Sequence, residues 1–183
     1  FIRNQPVPTD WDQFTTRVDF NESANSNWFG RYSWGDEFVR RNANFEQQEG
    51  RTTTTVIQTM ISNTRTLTPT IVNEFRFGYN QFKNDQLLRY AYERDVTSEL
   101  RIPGLNPPVE AAWGTPSIGI DGDGISGWGE SSEGPYVNRN HTFQWLDNMS
   151  IVKGSHTFKF GGEFRRDRFN QLGNQFPRGS FIF

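Results

Sequence analysis

The chain has no cysteine, and only two methionines and two histidines. Without cysteine there is neither a disulfide framework nor a thiolate metal site. The two histidines, His141 and His156, fit no metal-ligand spacing; as residues at strand starts they suit interfacial or hydrogen-bonding roles better. No stretch approaches the roughly 18 consecutive apolar residues of a transmembrane helix, so a helical membrane protein is excluded. Charge of neither sign dominates: 19 Lys and Arg against 21 Asp and Glu leave a net charge of -2. With no basic patch, nucleic acid is not an expected partner. The sequence also lacks a nucleophile–base pair, a paired-carboxylate motif, a phosphate-cradling glycine loop and a metal cluster. We therefore expect no enzymatic activity and no cofactor. No signal peptide is visible at Phe1-Ile2-Arg3-Asn4. An exported protein carries one, so the expectation is an internal piece of a longer protein. At the other end, residues 178–183 read as a strand that has just begun.

What is present is aromatic. Phe, Tyr and Trp make up 15% of a chain whose mean hydropathy is -0.76. That pairing is odd for a soluble domain. It is expected where one face of each strand meets lipid and the other meets a watery lumen. Residues 138–171 show the pattern most fully, as two long strands joined by a tight turn, Val152-Lys153-Gly154-Ser155. In the second arm His156, Phe158, Phe160, Gly162 and Phe164 form one face, while Lys159, Glu163, Arg165 and Asp167 form the other. The period is two, hence a strand. The alternation also outlasts the usual five or six residues and matches the roughly 9–11 of a tilted membrane-spanning strand.

The same alternation recurs along the chain. Phe14, Thr16, Val18 and Phe20 oppose Gln13, Thr15, Arg17 and Asp19. After a polar turn at residues 21–27, Trp28, Gly30, Tyr32 and Trp34 oppose Arg31 and Ser33, with Phe29 as an exception expected inside the lumen. Residues 36–50 read as a loop. Residues 51–67 are a Thr-rich strand whose facing is ambiguous at Val56 and Ile57, where a bulge would reconcile the two. A turn at residues 68–70 leads into residues 71–81, with Ile71, Phe75, Phe77 and Tyr79 outward and Glu74, Arg76, Gly78 and Asn80 inward. Residues 83–137 are expected to be irregular, with a helical stretch within 86–100, and residues 172–179 to form another loop. Short and long connections alternate, as at the periplasmic and extracellular rims of outer-membrane barrels. The fold class expected is all-β: an antiparallel up-and-down transmembrane β-barrel segment of about six to seven strands of a larger barrel, with long extracellular loops. The alternative is a secreted or surface β-sandwich binding module, carbohydrate-type, with the aromatic faces packed against a second sheet.

Several of these stretches resemble one family. Residues 14–19, Trp28-Phe29-Gly30-Arg31-Tyr32-Ser33, Val72-Asn73-Glu74-Phe75-Arg76-Phe77-Gly78-Tyr79-Asn80, Ile102-Pro103-Gly104-Leu105, Asp147-Asn148 and Gly154-Ser155-His156-Thr157-Phe158-Lys159-Phe160-Gly161-Gly162-Glu163 are similar to the barrel region of Oar-like TonB-dependent outer-membrane receptors. The similarity runs over nearly the whole chain. It implies a location in the outer membrane and a 22-stranded barrel with an N-terminal plug. That barrel is energised by the TonB complex and imports bulky nutrients. The plug, the signal peptide and the TonB box are not in this sequence, so residues 1–183 are expected to be part of the barrel domain alone.

Two groups of side chains are candidate sites. Arg17, Asp19, Arg31, Glu74, Arg76, Lys159, Glu163 and Arg165 share the face expected to line the lumen. There they contact the plug or a passing ligand, or simply form a solvated network of ion pairs. In the long irregular stretch, Trp113, Trp128 and Tyr136 either stack on a ligand or pack the loop on itself. Asp121 and Asp123, in Asp121-Gly122-Asp123-Gly124, either face a ligand or hard cation or make a plain turn. The bulky ligand itself is not legible.

Overall fold

The computed structural model describes residues 6–43, 45, 48–122 and 127–183. Its strands are β1 (Thr9–Ser23), β2 (Ser26–Arg41), β3 (Gly50–Thr68), β4 (Ile71–Leu88), β5 (Ser117–Gly119), β6 (Glu133–Lys153), β7 (His156–Arg168), β8 (Gln171–Gln175) and β9 (Ser180–Ile182). β1, β2, β3, β4, β6 and β7 lie side by side in chain order, each antiparallel to the next, with β8 added to β6. The sheet is open, with β1 and β7 at its edges. Its hairpins close through two-residue turns at positions 24–25, 69–70 and 154–155. In the last of these, Gly154 takes φ +61°, the left-handed conformation such turns need.

Continuous register fixes the two faces, because a slip of one residue would exchange them. Val18, Gly30, Ile61, Phe77, Trp145 and Phe164 stand abreast across six strands. The row above holds Thr16, Tyr32, Thr59, Tyr79 and Phe143, and the row below holds Phe20, Trp28 and Phe75. Their rings form a ladder. Phe77 lies 5.3 Å from Trp145, Trp145 5.5 Å from Phe164, and Tyr79 5.1 Å from Phe143. Such contacts contribute about 0.5–1.5 kcal/mol each beyond burial. From His141 down to Ile151 the rows descend about 33 Å along the strand. At a barrel's usual tilt that is about 25 Å of membrane thickness. The lower half of this face also carries polar side chains that satisfy one another. Asn73 donates to Asp147. Glu22, the extra residue of a bulge in β1, accepts from Ser26 at 2.7 Å and Trp28 at 3.1 Å and pairs with Arg65 at 3.3 Å.

No second sheet covers the aromatic face among the described residues. Phe14, Phe158, Phe160 and Phe164 remain 56%, 53%, 56% and 62% exposed. A β-sandwich would have buried them, so that alternative falls.

Several boundaries differ from the sequence reading. Residues 36–41 belong to β2 and pair with residues 50–55 of β3. β4 continues to Leu88, and β6 begins at Glu133, which confines the irregular stretch to residues 89–132. Among its described residues the only α-helical turn is α1 (Val96–Glu99), capped by Asp95 through the Ser98 N–H at 3.1 Å. No bulge lies at Val56 and Ile57; they alternate normally, and the register shift falls between Thr66 and Thr68 beside the turn. His141 sits inside β6, bonded to the Tyr79 hydroxyl at 2.9 Å, rather than at a strand start. Residues 172–175 are not a loop: they belong to β8, whose Gln171 faces Asn138 in the register that sets Arg168 opposite His141, so β8 continues β7. The final strand, β9, does not extend the meander but runs parallel to β5.

Candidate ligand-binding rim

Strands of 15 to 21 residues exceed what a bilayer requires. The surplus on β2, β3, β4, β6 and β8 stands on the side of the long connections. There residues 89–122 and 127–132 fold into a cap. A 3-10 turn at Glu110–Ala112 buries Ala111 and Ala112, and β5 pairs with β9. Ile118 also bridges Trp128, with both backbone bonds at 2.7 and 2.8 Å.

The centre of the cap is charged. Glu130 and Arg178 are each 1% exposed, and Arg178 Nε lies 3.7 Å from Glu130 Oε2. The Glu130 carboxylate accepts from the Thr115 N–H at 2.7 Å and the Tyr90 N–H at 3.1 Å, while its own N–H donates to Thr115 Oγ1 at 2.9 Å. Arg178 donates to the Ala112 and Ser131 carbonyls at 2.9 Å each. Burial pushes the Glu130 carboxyl above its ordinary range, against the pull of the Tyr90 N–H and Arg178. Burial likewise lowers Arg178, with Glu130 opposing. Desolvation outweighing attraction fits a contact this long. Gly114 makes room for the pair: at φ +152°, a Cβ there would lie 1.7 Å from Glu130 Oε2. Gly114→Ala is expected to destabilise the cap by about 1–3 kcal/mol without changing the barrel strands, as limited proteolysis of the folded protein would register.

The residues singled out in the sequence do not form one site. Trp113 follows the 3-10 turn and is half-buried, and Trp128 is exposed beside β5. Tyr136 is not in the irregular stretch: it lies on β6, facing Gln86 and Gly173. No two of these three rings touch among the described residues. The Asp121 side chain is exposed, and its N–H donates to the Phe183 carbonyl at 2.7 Å. Asp123 lies outside the described residues. No cluster of acidic and histidine side chains that would hold a metal occurs among the described residues. Tyr136 does line a cleft of about 270 Å³ at the foot of the cap, with Arg41, Gln86, Leu88, Ser131 and Glu133.

The other group is brought together. Register puts Arg17, Asp19, Arg31, Glu74, Arg76, Lys159, Glu163 and Arg165 on the single face opposite the aromatic ladder. Arg17 chelates Asp19, at 2.6 Å, and lies over the Phe29 ring at 4.3 Å. Glu74 pairs with Arg76, Arg165 with Asp167 at 3.0 Å, and Glu163 accepts from Gln144 at 2.8 Å. Arg31 and Lys159 have no ion-pair partner among the described residues.

A family model described as an outer membrane beta barrel domain matches residues 1–183. No curated protein and no solved structure matches the chain.

Proposed function

Because the chain belongs to the outer membrane beta barrel domain family and is located in the outer membrane, we propose that it is part of the wall of a TonB-dependent receptor of the Oar-like group. The observation that carries this reading is the sheet's division of labour. One face is an aromatic ladder suited to lipid; the other gathers charged side chains over four successive rows; and the long-connection rim is built into a folded cap with a cleft. A simple pore has little use for so elaborate a rim, whereas a receptor for a bulky ligand needs both a recognition surface outside and a polar wall for a plug inside. Arg31 and Lys159, charged and without ion pairs in the sheet, are the side chains available to the plug. Tyr136 and its cleft, with Trp113, Trp128 and Asp121 around the cap, are the ligand side. Uptake is energised through the plug by the TonB complex, and the protein's role is recognition and transport, with no catalytic step.

The absence of cysteine makes the test direct. Arg31→Cys and Arg165→Cys each introduce the sole thiol of this chain, on the charged face. In the assembled receptor both are expected to crosslink to the plug and to resist a bulky membrane-impermeant maleimide. Free labelling of both, with no crosslink, would mean an open lumen and would overturn the receptor reading.

A further inference from the structure

The aromatic face changes character at one height on one side of the sheet. On β7 it runs Phe158, Phe160, Gly162, Phe164 and then Arg166 and Arg168. Arg166 stands opposite Phe143, and Arg168 opposite His141. One row higher, Lys83 on β4 stands opposite Arg139 on β6. Arg139 is neutralised, since its guanidinium grips Asp85 with Nη2 to Oδ2 at 2.8 Å. Lys83 and Arg166 have no anionic partner among the described residues. Arg168 has the Phe143 ring, 5.8 Å from its guanidinium carbon. Across the sheet at the height of Lys83, the same face carries Asp36 on β2 and Asp12 on β1. The positive charge is thus a patch over β4, β6 and β7, and not a girdle.

Lys83 lies above the lipid-facing rows, Arg168 at the topmost of them and Arg166 one row below, from where a long side chain reaches up along apolar surface toward the polar zone. With about 5 Å between strands and about 7 Å between alternate residues, the three positions lie within about 17 Å of one another, a span that two neighbouring lipid headgroups cover. Arginine forks match phosphate oxygens, and lysine adds a point charge. We propose that Lys83, Arg166 and Arg168 form a docking surface for the phosphate groups of anionic lipid in the leaflet beside the cap. The proposal rests on the aromatic face meeting lipid and is independent of what the receptor imports.

The test uses the folded protein in nonionic detergent, titrated separately with phosphatidylglycerol, phosphatidylcholine and inorganic phosphate, and reads retained ligand by native mass spectrometry. Phosphatidylglycerol is expected to be retained over phosphatidylcholine. The triple variant Lys83→Gln, Arg166→Gln, Arg168→Gln should lose on the order of a hundredfold in that preference, at about fivefold per cation. The charge-conserving variant Lys83→Arg, Arg166→Lys, Arg168→Lys should keep it, which separates loss of charge from misfolding. Equal retention of both lipids, or undiminished preference in the glutamine variant, would overturn the patch. Competition by millimolar inorganic phosphate would show a free-anion site instead and overturn the lipid assignment. Failure of either lipid to associate with the wild-type protein would count against the lipid-facing assignment of the ladder itself.

Discussion

Replacing Phe77 by Arg is expected to cost about 2–4 kcal/mol of folding stability in lipid, the penalty for a cation at the midplane of a barrel's outer surface. Phe77 lies in the middle apolar row, between Ile61 and Trp145, so its substituent has no polar neighbour in the row and is far from either interface. The variant also forfeits the ring contact with Trp145 at 5.3 Å. Phe160→Arg should cost less, because Phe160 faces Met149, nearer the short turns, where a long side chain reaches water. Lys159→Gln, next to Phe160 but on the opposite face, should change stability by no more than about 0.5 kcal/mol. Urea titration of the protein in phospholipid vesicles, followed by tryptophan fluorescence, measures all three. Equal stability of Phe77→Arg and wild type would mean that the ladder faces water.

The second large effect lies in the cap. Arg178→Met leaves the Glu130 carboxylate buried without its cation, and breaking such a pair costs about 3–5 kcal/mol. Combining it with Glu130→Leu should recover most of the loss, since well-packed apolar residues often replace a buried pair without penalty. The pair also sets a pH dependence. The native Glu130 carboxyl titrates above its unfolded value, so the folded cap binds its proton more readily than the unfolded chain does. Its contribution is therefore fully present below the unfolded carboxylate range and is lost as pH rises through the raised native value. In Glu130→Gln that portion of the pH dependence should vanish. Protease susceptibility of residues 89–132 as a function of pH reads out each variant. An unchanged profile in Glu130→Gln would assign the dependence to another group.

The membrane part of this architecture is written in the sequence because hydrocarbon on one side and water on the other force a period of two. Phe158, Phe160 and Phe164 against Lys159, Glu163 and Arg165 declare both the strand and its faces. Even Phe29, out of pattern by polarity, keeps its register and meets Arg17. Above the hydrocarbon both faces are wet, the period disappears, and the ladder continues unannounced. Residues 36–41 and 172–175 look like loop for that reason, although they lie in paired strands. The cap's centre left less of a trace. Glu130 sits among Gly129, Ser131 and Glu133 and reads as solvent-exposed, while its partner is 48 positions away, 178 minus 130. Only the fold reveals that a glycine at position 114 is there to admit a carboxylate.

That separation also ties the two outer ends of one hairpin together. Between Glu130 and Arg178 the chain passes down as β6 and back as β7 and β8. The clasp therefore bridges the tops of neighbouring strands, and a slip of β7 and β8 against β6 would carry Arg178 away from Glu130. Closure of the cap is thus a check on strand register: the outer surface takes this form only where β6, β7 and β8 are correctly paired.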